Sequence, residues 1–191
     1  MFDKTILKEI YSISPYKREY KNKTKFREDQ GNPVYGEITE NGTNSMVNHF
    51  KKYFNKDTVF YDLGSGLGKM VLHIGLQYNI KKSVGIELSK ERHKAALTLK
   101  EKYAPTNDKI NFICKSFFDH DWSDATVIYI DNTMFDNKIN ERIFNNIPPG
   151  CLVLCKKMLN KGGMTVQGHE EIRGIGKTDY GRNTTVWFIK E

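Results

Sequence analysis

The chain has 191 residues, 38% of them hydrophobic and 28% charged, with a net charge of +7 and a mean hydropathy of −0.60. That length suits one domain with a sizeable core, and neither a bilayer-spanning apolar run nor a signal-peptide core is present, so the reading is an intracellular protein, nuclear or cytoplasmic, with no membrane contact. The basic balance suits a polyanionic partner such as nucleic acid or a nucleosome, or else a solubilising lysine-rich surface.

In chain order, residues 3–12 suit a short helix, and residues 14–34 read as irregular and basic. There Lys17, Arg18, Lys21, Lys23, Lys25 and Arg27 are interleaved with Tyr16, Tyr20 and Phe26. Such a mixture can hold phosphates and stack bases, or its aromatics can dock the arm onto the rest of the chain. The division expected is a basic arm over 1–40 and a domain over 41–191. Residues 43–54 suit a helix with Met46, Val47, Phe50 and Phe54 on one face. Strand and helix then alternate, at 58–63 and 67–78, and again at 82–87 and 89–103. Further strands are predicted at 110–114 and 126–130, a helix at 137–145, and a strand at 151–155 after the Pro148-Pro149-Gly150 turn. Residues 164–173 and 183–190 read as a closing antiparallel hairpin. Alternation of this kind predicts an α/β fold with a doubly wound, mostly parallel sheet. Ligands of such sheets lie at the carboxyl ends of the strands, where Asp62, Glu87, Phe117 and Asp131 all fall. Cys114, Cys151 and Cys155 sit in strand-like apolar contexts and read as buried free thiols. No metal is expected, because the cysteine spacing lacks a second pair.

The densest signal is Val59-Phe60-Tyr61-Asp62-Leu63-Gly64-Ser65-Gly66-Leu67-Gly68, followed by Ser83-Val84-Gly85-Ile86-Glu87. A buried strand ends in a carboxylate and then in glycines, which let the backbone turn sharply and let a ligand approach it. The helix that opens at Lys69 adds unpaired N–H groups. Glu87 at the tip of the next strand can accept hydrogen bonds from both ribose hydroxyls. A dinucleotide site normally reads G-x-G-x-x-G, but here the third glycine comes one position early, and Asp62 would repel a pyrophosphate. S-adenosylmethionine has no phosphate and carries an ammonium and a sulfonium, so an acid at that strand end favours it.

Taken with Tyr35-Gly36-Glu37 upstream, these residues carry a family resemblance. The chain resembles the non-SET histone-lysine methyltransferases, named for disruption of telomeric silencing, over roughly residues 33–158. Val84-Gly85-Ile86-Glu87-Leu88 matches the family's ribose-binding strand, Ser116-Phe117-Phe118 its adenine-side segment, and Val127-Ile128-Tyr129-Ile130-Asp131-Asn132-Thr133-Met134-Phe135 its catalytic-loop segment. The resemblance implies a seven-stranded class I methyltransferase fold and methyl transfer from S-adenosylmethionine to a lysine amine of a protein, histone in a nucleosome being the model substrate. It implies a cofactor-binding set of Tyr35, Gly36, Glu37, Asp62, Gly64, Ser65, Gly66, Gly68, Lys69, Glu87, Leu88, Ser116 and Phe117. In the catalytic set, Asp131 and Asn132 would lie beside the reactive methyl and Phe135 would wall the amine channel.

The chain also departs from the family. Asp131-Asn132 stands where the family has two asparagines, Ser116 stands where an acid is usual, and the stretch from Gly168 to Arg182 does not match. Asp131 is expected to face the acceptor, against the alternative that it only caps the following helix. Two further functional readings stay open: a nucleic-acid methyltransferase, favoured by the basic arm, and a cofactor-binding module without catalysis.

Overall fold

A computed structural model describes residues 5–13, 36–157 and 166–191. Tyr35 and the six basic residues from Lys17 to Arg27 lie outside the described residues. The elements in order are α1 (Thr5–Ser12), α2 (Glu40–His49), β1 (Val59–Leu63), α3 (Lys69–Gln77), β2 (Lys82–Glu87), α4 (Lys90–Tyr103), β3 (Ile110–Cys114), β4 (Val127–Ile130), α5 (Asn137–Asn146), β5 (Leu152–Cys155), β6 (Val166–Arg173) and β7 (Thr184–Lys190). The seven strands form one sheet in the order β3-β2-β1-β4-β5-β7-β6, parallel from β3 to β5 and antiparallel at β5-β7-β6. This is the doubly wound sheet with a terminal hairpin that the alternation predicts. No helix among the described residues is long and apolar enough to cross a membrane.

Strand residues alternate between two buried faces, which is why β1, β4 and β5 are apolar at nearly every position. Phe60, Val127, Tyr129, Leu152 and Leu154 pack with α1 to α4 on one face. Tyr61, Leu63, Ile128, Ile130, Val153 and Cys155 pack with α5 and Trp122 on the other. Leu7 and Ile10 of α1, 2% and 0% exposed, belong to the first of these cores.

Helix starts follow local capping. Ser89 Oγ accepts from the Arg92 amide at 3.2 Å, and Asp136 Oδ1 accepts from the Ile139 amide at 2.8 Å. The helix expected over 43–54 begins earlier, because Thr39 caps it by accepting from the Gly42 amide at 3.0 Å. It gives way to a single 3-10 turn at Lys51–Tyr53.

The turn between β6 and β7 sits over the carboxyl edge of the parallel strands. Cys155, at the end of β5, pairs with Val186, near the start of β7, so the chain just before β7 must lie at that edge. The turn is stitched to the segment before α2. The Asp179 amide donates to the Glu37 carbonyl at 2.8 Å, and the Thr39 amide donates to the Lys177 carbonyl at 2.8 Å. Ile38 and Thr178 form an antiparallel bridge. Lys156, fully buried, donates from Nζ to the carbonyls of Gly176 and Thr184, tying the same turn to the end of β5.

Candidate active site

Between these elements lies an open cleft lined by Gly36, Glu37, Ile38, Asp62, Gly64, Ser65, Lys69, Met70, Tyr129 and Asp131. The chain thus converges on it from the end of β1, the glycine turn, the start of α3, the end of β4 and the segment before α2.

The glycine turn is built as the spacing demands. Gly64 has φ +93° and nothing within 4 Å of where a Cβ would stand, so its backbone faces open space that a ligand can enter. Gly68 has φ +74°, and a Cβ there would collide with the Phe112 ring. Glu87 is 5% exposed and braces the turn: one carboxylate oxygen accepts from the Gly66 amide at 2.8 Å, the other from the Ser89 amide at 2.8 Å. A carboxylate offers about four lone-pair sites, so acceptor capacity remains for a ribose. Burial raises the Glu87 pKa, opposed by the nearby Arg92 charge and by these backbone donors.

Asp62 is 5% exposed, and no hydrogen bond reaches its carboxylate among the described residues. Burial pushes its pKa well above the usual carboxylate range, and the charges of Glu87, Asp131 and Glu37 push it further. Lys69 enters the same cleft and donates from Nζ to Glu37 at 2.6 Å and to the Ile13 carbonyl. This ion pair holds the Gly36-Glu37 segment against the start of α3.

Asp131 ends β4 and is half-buried in the cleft wall. Its Oδ1 accepts from the Thr133 amide at 3.2 Å and its Oδ2 accepts from the Tyr180 hydroxyl at 2.6 Å. The α5 cap is Asp136, not Asp131. Burial and the Asp131 carboxylate raise the Tyr180 pKa to about 12, so the phenol stays a donor at neutral pH. The Tyr180 ring covers Gly36 so closely that a Cβ there would collide with it.

Asn132 is placed differently from the expectation. Its side chain is fully buried: Oδ1 accepts from the amides of Lys156 and Lys157, and Nδ2 donates to Asn140 Oδ1 and to the Lys157 carbonyl. The amide is thus fully engaged in joining the ends of β4 and β5 to α5, and it does not line the cleft. Phe117 and Phe135 meet each other on the second face of the sheet, ring centroids 6.1 Å apart. Ser116 caps the short turn at Phe117–Asp119, its Oγ accepting from the Phe118 amide at 3.3 Å, and Leu88 is half-buried beside Glu87.

Tyr180, Asp179, Lys156 and Tyr129 are the site residues that the sequence does not point to. Asp179 and Tyr180 stand in the stretch that departs from the family pattern, Tyr129 reads only as part of the strand leading into the matched catalytic-loop segment, and Lys156 reads as a solvated or basic-rim lysine just after the fifth strand.

The donor set fits S-adenosylmethionine: an unbridged acid for its cationic end, an open glycine turn beneath it, and a braced carboxylate for its ribose. Among the described residues no group of three His, Cys, Asp or Glu side chains is arranged to hold a metal.

Comparisons with known proteins identify the family and the fold. The family described as histone methylation protein DOT1 matches residues 11–179. A protein-lysine N-methyltransferase of Saccharolobus islandicus (strain REY15A) is 32% identical over 120 residues, covering 63% of this chain and 67% of that protein. A histone-lysine N-methyltransferase, H3 lysine-79 specific, of Eremothecium gossypii is 29% identical over 151 residues, covering 71% of this chain and 26% of that protein. The chain therefore spans only about a quarter of that fungal relative's length. Among solved structures, an RNA methyltransferase from Salinibacter ruber in complex with S-adenosyl-L-homocysteine superposes with a TM-score of 0.60 at 22% identity, covering 81% of this chain and 92% of that one. A point mutant of MtNAS in complex with S-adenosylmethionine superposes with a TM-score of 0.61 at 12% identity, covering 78% of this chain and 61% of that one. At those identities the likeness establishes the fold, which is that of class I methyltransferases. Because the family match takes in most of the chain, this protein belongs to the histone methylation protein DOT1 family and is an S-adenosylmethionine-dependent methyltransferase.

Proposed function

We propose that the chain methylates the side-chain amine of a lysine in a protein, with a histone as the foremost acceptor. The observation that carries this reading is Asp131, whose carboxylate stands at the end of β4 in the cleft, oriented by Tyr180 and by the Thr133 amide. A carboxylate held in this way can take a hydrogen bond from the incoming amine and aim its lone pair. The cofactor supplies a methyl group activated on a sulfonium. Held by Asp62, the glycine turn and Glu87, it would give up that methyl to the amine nitrogen and leave as a neutral thioether that keeps the C–S electron pair. The positive charge that develops on the amine nitrogen is stabilised by Asp131 before the proton is released. Alignment of this kind contributes about 7–11 kcal/mol in favourable cases. The relatives' names support a protein acceptor: one is a protein-lysine N-methyltransferase and the other acts on histone H3.

Radiolabel transfer from S-adenosylmethionine to histones, nucleosomes and RNA in parallel tests the acceptor. Label on protein, removed by protease and not by nuclease, is the expected result. Label on RNA would support the nucleic-acid reading favoured by the basic arm, and cofactor binding without any transfer would support a non-catalytic module. Asp131→Ala should abolish turnover while leaving cofactor affinity near wild type, and unchanged turnover would remove Asp131 from the chemistry. A histone acceptor would place the protein at chromatin, with Lys17, Arg18, Lys21, Lys23, Lys25 and Arg27 available to contact nucleosomal DNA.

A further inference from the structure

Most buried polar groups at the carboxyl edge are paired. Asn132 makes four hydrogen bonds, Glu87 braces two amides, and Lys156 reaches two carbonyls. Against that background, Tyr129 OH and Ser65 Oγ are buried with no partner, and both residues line the cleft. Tyr129 is 4% exposed and Ser65 8%. A buried polar group left unpaired carries its full desolvation penalty, so two of them in one cleft call for a ligand that pairs them.

Their placement defines that ligand's chemistry. In the sheet register Asp62 pairs with Gly85 on one side and with Tyr129 on the other, and all three side-chain positions lie on one face. Ser65 Oγ lies over Gly85, 2.5 Å from where a Cβ there would stand. The Asp62 side chain therefore has the Tyr129 side chain on one side and the Ser65 hydroxyl on the other, and neither hydroxyl donates to it. A carboxylate between two unclaimed hydroxyl donors complements a zwitterionic α-amino acid. The acid takes the ammonium, and the hydroxyls take the carboxylate. Lys69 Nζ lines the same cleft and adds positive charge, though Glu37 holds it.

The geometry points to Tyr129 as a cofactor-binding residue whose hydroxyl donates to the carboxylate of the methionine end, with Ser65 as the second donor and Asp62 on the ammonium. This inference rests on the cleft being the S-adenosylmethionine site. It adds that the amino-acid end is read by strand β4 as well as by the glycine turn.

Tyr129→Phe in the full chain is the test, because it removes the hydroxyl and keeps the ring. Calorimetric titration would use three probes: S-adenosylmethionine, its decarboxylated form, and 5′-methylthioadenosine, which lacks the amino-acid end. Affinity for S-adenosylmethionine should fall about tenfold, the scale of a hydrogen bond to a charged group. Affinity for the other two should be unchanged, so the wild-type preference for the carboxylate-bearing compound shrinks in the variant. The melting temperature without cofactor should be equal or higher, since the hydroxyl has no protein partner to lose. Unchanged affinity for S-adenosylmethionine, equal weakening toward all three probes, or a clear drop in the cofactor-free melting temperature would each overturn the assignment. Wild-type protein that binds none of the three overturns the cofactor reading itself, a result distinct from a variant that binds all three as well as wild type does.

Discussion

Asp62 is held in a state that folding alone does not favour. It is buried among Glu87, Asp131 and Glu37, and its pKa is pushed up by burial first and by those charges second. A carboxylate whose folded pKa is raised contributes stability below its unfolded value of about 3.9 and loses it as pH rises through the folded value. Ionising Asp62 therefore weakens the cofactor-free fold, and a bound cation relieves that cost. Asp62→Asn should raise the cofactor-free melting temperature at pH 7 and weaken S-adenosylmethionine by roughly tenfold or more, since a charge-assisted hydrogen bond is lost. Thermal melts with and without cofactor would show both effects together. Glu87 behaves differently, because its oxygens already brace two amides. Glu87→Ala leaves those buried amides unpaired and should cost about 2 kcal/mol of stability even without cofactor, measured by denaturant unfolding.

At the level of elements, α1, α2 and α3 are joined through two buried side chains. The Tyr11 hydroxyl lies 3.0 Å from Thr43 Oγ1 and 3.1 Å from His73 Nδ1, and His73 Nε2 lies 2.8 Å from Gln77 Oε1. Burial keeps the ring neutral, and with Nε2 donating to the Gln77 oxygen, Nδ1 is left to accept from Tyr11. Burial lowers the His73 pKa to about 4. A histidine with a depressed folded pKa stabilises the fold fully above its unfolded value, near 6.5, and that contribution is lost as pH falls toward the folded value. Unfolding free energy should drop by about 3 kcal/mol between pH 6.5 and 4, and His73→Leu should flatten that slope. The turn between β6 and β7 has its own weak point at α2. A Cβ on Gly42 would collide with the Lys177 carbonyl oxygen. Gly42→Ala improves helix propensity, yet it should push the turn and Tyr180 away from Asp131. The expected result is a fall in kcat/KM of about tenfold or more with α2 retained, because small misplacements at a reacting centre are costly.

Across the whole molecule the charge is divided by function. A chain of net charge +7 carries a cleft whose ionisable lining is mostly acidic: Glu37, Asp62 and Asp131, with Lys69 paired to Glu37. The acidic cleft suits a cationic cofactor, and the positive net charge of the chain would favour the polyanionic support of the proposed nucleosomal acceptor. Under the proposed nucleosomal acceptor, neutralising Lys17, Arg18, Lys21, Lys23, Lys25 and Arg27 together should flatten the salt dependence of nucleosome binding and leave cofactor affinity unchanged. Binding measured between 50 and 200 mM salt would show it, since each lost phosphate contact lowers the log–log slope by about one.

The strand, glycine turn, helix and second strand that form half of the site were legible in the sequence, because the interactions that define them are local. The apolar run of β1, the glycines at every second position and Glu87 lie within thirty residues of one another, and each element forms within about two residues of its predicted limits. The catalytic side is assembled from distant pieces. Tyr180 meets Asp131 across 49 positions, and the Glu37 amide meets Asp179 across 142. No local pattern could announce those contacts, because they follow from the hairpin docking β7 against β5, which carries its turn to the carboxyl edge. The same docking separates two neighbours in the chain. Asp131 is left facing the cleft, while Asn132, one residue on, turns inward, where the ends of β5 and α5 offer its amide four partners. The sequence by itself determined the sheet, the methyl donor and the family. The tertiary structure decided which of two adjacent polar residues faces the cleft, because a strand end presents successive side chains to opposite sides and only packing determines which side is open.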